Sequence, residues 1–202
     1  MQNRALAIIH DEHRSLGAVL HGLHFLVREA HEKGSQLDFK LLWAMLYYMD
    51  AFSRRLHDPR EEALLFARLK ERTHEADATI TLLERQHAES AAHVQQLEQL
   101  LGQVEAGVPG SMEAFVAAVE AHTEAARQHM LIEERTIIPL AKKYLTADDW
   151  IEITAAFLGK DPRFDAKPEH EFRDLFSRIV NLAPPPIGVG PSHDEGPPPL
   201  PR

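Results

Sequence analysis

Cysteine is absent from this chain of 202 residues. That excludes a disulfide scaffold, thiolate zinc sites, iron–sulfur clusters and a cysteine nucleophile. Glycine is sparse, with 10 residues that mostly fall between long periodic segments, and no alternating run bounded by turn pairs marks a strand. Positive charge is in the minority: 22 Lys and Arg face 31 Asp and Glu, a net charge of −9, which argues against a nucleic-acid partner. No apolar run approaches the ~18 residues of a membrane span. The opening stretch MQNRALAIIHDEHR is broken by charge too early for a secretory signal, so the expected location is the cytoplasm, with no membrane partner.

What the chain does have is histidine, 13 in all. Without cysteine, histidine and carboxylate are the strong metal ligands that remain. Hydrophobic residues make up 44% and charged residues 26%, a globular balance able to bury a core without disulfides.

The periodicity predicts an all-α protein. In the first segment, residues 3–32, Leu6, Ile9, His13, Leu16, Leu20, Leu23 and Val27 recur at alternating spacings of three and four, a helical seam. A second helix from about Asp38 carries Phe39, Leu42, Met45, Met49, Phe52 and Leu56. Asp58-Pro59-Arg60-Glu61 then reads as an N-cap with proline at the first helical position, so this helix is expected to kink and continue as a shorter one to about residue 72. The third runs from about Thr73 to Glu105, with Ile80, Leu83, His87, Val94, Leu97 and Leu101 on its stripe. The fourth starts at Ser111 and runs to about Tyr144, with Pro139 bending or ending its last turn.

Four amphipathic helices with short links predict an up-down-up-down four-helix bundle over residues 1–145. Two short accessory helices, within 146–183, are expected to pack on it in the same domain. Residues 184–202 hold 8 of the 13 prolines and read as a flexible or extended tail. Its PPPLPR end has the composition of a proline-rich ligand for a protein partner.

The seams contain anomalies. His13, His87, His129 and Glu133 occupy positions where a bundle interior wants Leu, Ile or Ala. His57 and Glu61 lie beside the expected kink, four residues apart. A lone seam histidine is more often a satisfied core residue. Four imidazoles and two carboxylates from all four helices instead need a shared partner, because an unpaired buried carboxylate costs several kcal/mol. A cation supplies one. His57/Glu61 and His129/Glu133 each sit one turn apart on one face and can act as two-point clamps. The same i+4 relation favours Glu133 over Glu134, and Glu61 over Glu62, as the inward residue. By register, His13 lies level with His129 and His57 with His87. Mixed imidazole and carboxylate ligands suit iron, manganese or zinc, and six are too many for one structural zinc. Two metals bridged by Glu61 and Glu133 fit better.

The stretches IIHDEHRSL, RLHDPREEALLF, LLERQHAES and HMLIEERTIIPLA, with their spacings, resemble the hemerythrin-like (HHE cation-binding) proteins, and the later AFLGKDPRF and LFSRIVNLAPPPIGVG are similar to C-terminal extensions of bacterial members. The resemblance implies a non-haem di-iron protein with His13, His57, Glu61, His87, His129 and Glu133 as ligands, and O2 or NO as a small diatomic ligand. Manganese or zinc are the substitutes. Two departures matter. Position 91 is Ala91 where oxygen carriers have a further histidine, and the residue five after His129 is Glu134 rather than aspartate. One iron is then expected to lack an imidazole and to be open to water or to Asp58, which speaks against reversible oxygen carriage. Binding or sensing of a small ligand ranks above an enzyme acting on peroxide, NO or ferrous iron, since no separate catalytic acid, base or substrate pocket is readable. A protein-interaction bundle with structural metal is the third reading.

Overall fold

The structure, a computed structural model, describes residues 2–164 and 167–190. All regular structure among them is helical. Four long rods come first: α1 (Gln2–Lys33), α2 (residues 39–72), α3 (Asp77–Glu105) and α4 (residues 111–144). Two shorter helices follow, α5 (Ala147–Phe157) and α6 (Lys167–Leu182). None of these helices is long and apolar enough to cross a membrane.

Local chemistry sets the boundaries. Gly34, in the left-handed region at φ 70°, donates its N–H to the Ala30 carbonyl and ends α1. Asp38 caps α2 by accepting from the Leu41 N–H at 3.1 Å. A two-way capping box of Thr146 and Asp149 opens α5. α3 begins at Asp77, four residues later than its stripe suggests, because residues 73–76 form the turn after α2.

No new helix is capped at Asp58, where the sequence suggests a second, shorter one to start. Asp58 has helical dihedrals and is no N-cap, and the rod continues through Pro59. It does so by widening: Ser53–His57 is a π turn in which the Asp58 N–H reaches back five residues to the Ser53 carbonyl. In α4, Glu133–Ile137 is a π turn, Ile138 N–H reaches the Glu133 carbonyl, and Pro139 follows without ending the helix. Proline lacks an N–H, and its ring crowds the carbonyl four residues back. A π turn just before it opens that space. A third π turn, Glu61–Phe66, follows in α2.

The rods pack in a ring, α1 against α2 and α4, and α3 against α2 and α4. Two hydrophobic clusters fill the ring. One contains Val19, Leu23, Met45, Phe52, Leu97 and Phe115. The other contains Ile9, Leu64, Phe66, Leu83 and Ile137. On every rod the anomalous residues fall between these clusters: His13 after Ile9, His57 and Glu61 between Leu56 and Leu64, His87 after Leu83, and His129 and Glu133 before Ile137. The polar site is a layer between two apolar cores.

α5 packs on α1 and is tied to the end of α2 by Arg72, whose Nε and Nη2 reach Asp149 at 3.0 and 2.9 Å. α6 packs on α2. The proline-rich stretch opens differently from the flexible tail the composition suggests. Residues 184–190 form a hydrogen-bonded turn, with Val189 N–H on the Val180 carbonyl and Gly190 N–H on that of Ala183. A Cβ at Gly188 would stand 2.3 Å from the Val180 oxygen, so only glycine fits this close approach. The PPPLPR segment lies outside the described residues.

Candidate metal centre

The helical stripes deliver all six seam residues to one place. Two groups of potential metal ligands form there: His13, His57, Glu61 and Glu133, and Glu61, His87, His129 and Glu133. Within each group one ligand atom per residue lies within 4.8 Å of every other. Both groups contain the same two carboxylates. Glu133 turns Oε2 to His13 Nε2 at 3.1 Å and Oε1 to His129 Nε2 at 3.0 Å. Glu61 Oε2 lies 3.5 Å from His57 Nε2 and 3.9 Å from His87 Nε2. Within the layer His13 sits with His57, and His87 with His129.

The adjacent glutamates are resolved by burial. The Glu61 and Glu133 side chains are 0% and 2% exposed, whereas those of Glu62 and Glu134 are 42% and 38% exposed. The imidazoles divide two and two, so the absence of a histidine at Ala91 does not leave one half without nitrogen donors. Asp58, offered as a replacement ligand, belongs to neither group; its Oδ1 is 4.0 Å from His87 Nε2.

The layer concentrates buried charge. The Glu61 oxygens are buried without a hydrogen-bond partner, and the Glu133 oxygens face only the Nε2 atoms of His13 and His129. Burial, then the neighbouring Glu133 charge, raises the Glu61 carboxyl well above its ordinary range. Burial pushes Glu133 the same way, but His129 and His13 outweigh it and hold Glu133 well below. Burial likewise opposes protonation of His13 and His129, and the adjoining carboxylates overcome it, raising both. Two buried carboxylates this close cannot both carry charge without a cation.

The imidazole spacings fit one. His13 Nε2 and His57 Nε2 are 3.2 Å apart, and His87 Nε2 and His129 Nε2 are 3.0 Å apart. Donors at right angles and about 2.1 Å from one ion stand about 3 Å from each other. Each imidazole also has an outer partner that sets its tautomer. His13 Nδ1 donates to Glu134 at 3.2 Å, His57 to Glu12 at 2.7 Å, His87 to Glu62 at 2.8 Å and His129 to Gln86 Oε1 at 2.9 Å. With the proton on Nδ1, all four Nε2 lone pairs point inward.

The family model of the hemerythrin HHE cation binding domain matches residues 4–141. The chain belongs to this family. No curated protein matches it. The matched span contains every residue of the two ligand groups, while α5 and α6 lie beyond it. Membership in a cation-binding family and the His/Glu cluster together imply metal binding.

The HHE domain closes its outer partners into a cycle that sequence reasoning missed. α4 supplies Glu134 to the α1 histidine, α1 supplies Glu12 to that of α2, α2 supplies Glu62 to that of α3, and α3 supplies Gln86 to that of α4. The signal was present, because each partner is the chain neighbour of an inward residue: Glu12 of His13, Glu62 of Glu61, Gln86 of His87 and Glu134 of Glu133. A step of about 100° around a helix turns that neighbour toward the adjacent rod. Fully buried Arg60 was also missed. Its Nη1 lies 3.7 Å from Glu12 Oε1 and its guanidinium sits over the Phe157 ring of α5.

A cavity of about 150 Å³ adjoins the layer, bordered by His57, His87, His129, Asp58, His93 and His122. His122 is buried, and burial, reinforced by the His93 charge, pushes its pKa down to about 4. An unfolded His122 takes its proton near the ordinary 6.5, while the folded one does so only near 4. Its contribution therefore falls as pH drops from 6.5 toward 4, by up to about 3 kcal/mol. Denaturant unfolding of wild-type and His122→Leu protein at pH 7 and pH 4.5 is expected to show a clearly smaller acid loss in the variant. Equal losses would disprove the assignment.

Proposed function

We propose that the protein holds two iron ions in this layer, bridged by Glu61 and Glu133, and binds O2 or NO from the adjoining cavity. The single observation carrying this reading is that two ligand groups share the same two buried carboxylates. The residues that would hold one ion in each group are His13 and His57 on one side and His87 and His129 on the other, with Glu61 and Glu133 common to both. We read the four rods as an up-down-up-down bundle spanning residues 1–145, with α5 and α6 as accessory helices on it, and the protein as cytoplasmic.

When bound, a redox-active metal pair supplies electrons and Lewis acidity to a small ligand. The chain's own residues do the rest. Glu61 and Glu133 neutralise the cations, and the Nδ1 partners fix the orientation of each imidazole. Three of those partners are carboxylates and strengthen their imidazoles as donors; the amide of Gln86 does so less for His129, making the two halves unequal. The apolar clusters above and below exclude bulk water, so entry is through the cavity. Asp58 on its wall can take or give a proton beside the His87/His129 half.

Iron-loaded protein is expected to carry about two irons per chain, the stoichiometry of carboxylate-bridged bundles, measured by elemental analysis against protein concentration. Its visible absorption is expected to change on exposure of the reduced protein to O2 or NO. A single ion per chain, or colourless zinc as the sole metal retained, would sink the di-iron reading.

A further inference from the structure

A second cavity, of about 380 Å³, is lined by α1, α2 and the two accessory helices. Its wall is aromatic: Tyr48, Phe52, Phe157, Phe172 and Phe176. Tyr48 and Phe52 stack at 5.2 Å between centroids, and Phe172 stands edge-on to both at 6.1 and 5.7 Å. Its polar lining is Glu12, Asp11 and Ser15 from α1, with Arg173 from α6.

Two of these groups are also the supports of His57. The Phe52 ring stacks on the His57 ring at 5.9 Å and 17°, and Glu12 Oε2 accepts from His57 Nδ1 at 2.7 Å. An occupant of the cavity therefore meets both the face and the outer hydrogen bond of one imidazole of the metal centre.

We propose that this cavity is a binding site for a neutral phenolic ligand of one or two rings, and that occupancy is transmitted to the metal centre through Glu12 and Phe52. The ring wall selects a flat apolar body, stacked or edge-on. An apolar cavity of about 150 Å³ holds benzene, so this volume accommodates two fused rings. The carboxylates of Glu12 and Asp11 accept hydrogen bonds and cannot donate them, and they outnumber the single Arg173 guanidinium, so the lining is net negative and selects an O–H over a carboxylate on the ligand. A phenol O–H donating to Glu12 draws charge from that carboxylate and weakens its hold on His57 Nδ1, making His57 a poorer donor. Binding itself needs no metal. The transmitted effect rests on the metal reading above.

The test uses the full chain and 2-naphthol as probe, with naphthalene and 2-naphthoate as controls. Titration of the metal-free protein, followed by calorimetry, is expected to show saturable one-to-one binding of 2-naphthol, with naphthalene and 2-naphthoate each weaker. Phe176→Ala, at a half-buried position at the border of the core beside Tyr48, is expected to weaken 2-naphthol by about tenfold. In iron-loaded protein 2-naphthol is expected to shift the visible absorption, and in Phe176→Ala to do so only at correspondingly higher concentration. Absence of saturable binding, equal binding of naphthalene, or an undiminished affinity in Phe176→Ala overturns the site. Binding to the metal-free chain with an unmoved spectrum in the iron-loaded one overturns the transmission. Failure of the chain to retain iron counts against the metal reading and leaves the binding result standing.

Discussion

Glu61→Leu is expected to empty both metal positions at once. Each position draws on Glu61, so its loss removes a donor and the compensating charge from both ligand groups. Bound iron is expected to fall from about two per chain to well below one, whereas His129→Ala, which touches one group alone, retains about one. The same substitution is expected to act in the opposite direction on the metal-free chain. Glu61 is fully buried there, both its oxygens lack hydrogen-bond partners, and Glu133 presses on it. An apolar side chain of similar volume relieves that desolvation, a gain of about 1–3 kcal/mol. The pair of signs distinguishes a metal ligand from a structural residue: a merely structural Glu61 loses stability in both forms. Metal content by elemental analysis and denaturant unfolding with and without chelator read the two effects. Retention of full iron by Glu61→Leu would remove the shared-carboxylate argument.

Arg60→Ala is expected to be the most destabilising single change outside the apolar cores, by about 3–5 kcal/mol, because it breaks a buried ionic contact and leaves its partner uncompensated. Arg60 is fully buried, with Glu12 on one side and the Phe157 ring on the other. For a chain of this size that corresponds to a melting temperature lower by roughly 6–20 °C. The effect reaches the metal centre as well, since without Arg60 the Glu12 side chain is less fixed in position against His57, so iron affinity falls together with stability. Arg60→Lys keeps the charge but not the planar fork, and is expected to fall between the two. A loss below about 1 kcal/mol in Arg60→Ala would show that Arg60 does not anchor Glu12.

The two glutamate pairs show how far local pattern reaches. The four-residue spacing of His129 and Glu133, and of His57 and Glu61, points inward in the sequence and in the structure alike. Helical geometry is local, so side chains one turn apart share a face wherever the helix is placed. The same locality misled at Asp58-Pro59-Arg60-Glu61. There the cap signature is genuine as chemistry, but packing on both sides holds α2 continuous, and a π turn takes up the proline instead of a break. Counting residues along antiparallel helices gives level but not rotation, and rotation decides that His13 meets His57 and His87 meets His129.

The order of residues along the chain determined that this protein is all helical, where its four rods run, and that imidazoles and carboxylates occupy seam positions a core would otherwise fill. Those are consequences of periodicity and of the cost of burying charge, both readable one helix at a time. Only the packed rods decided how four imidazoles divide two and two about a shared pair of carboxylates. The same holds for the outer residue of each rod that steadies the next rod's histidine, and for the burial of Arg60 beneath α5. These depend on distances between elements far apart in the chain, which no local spacing encodes.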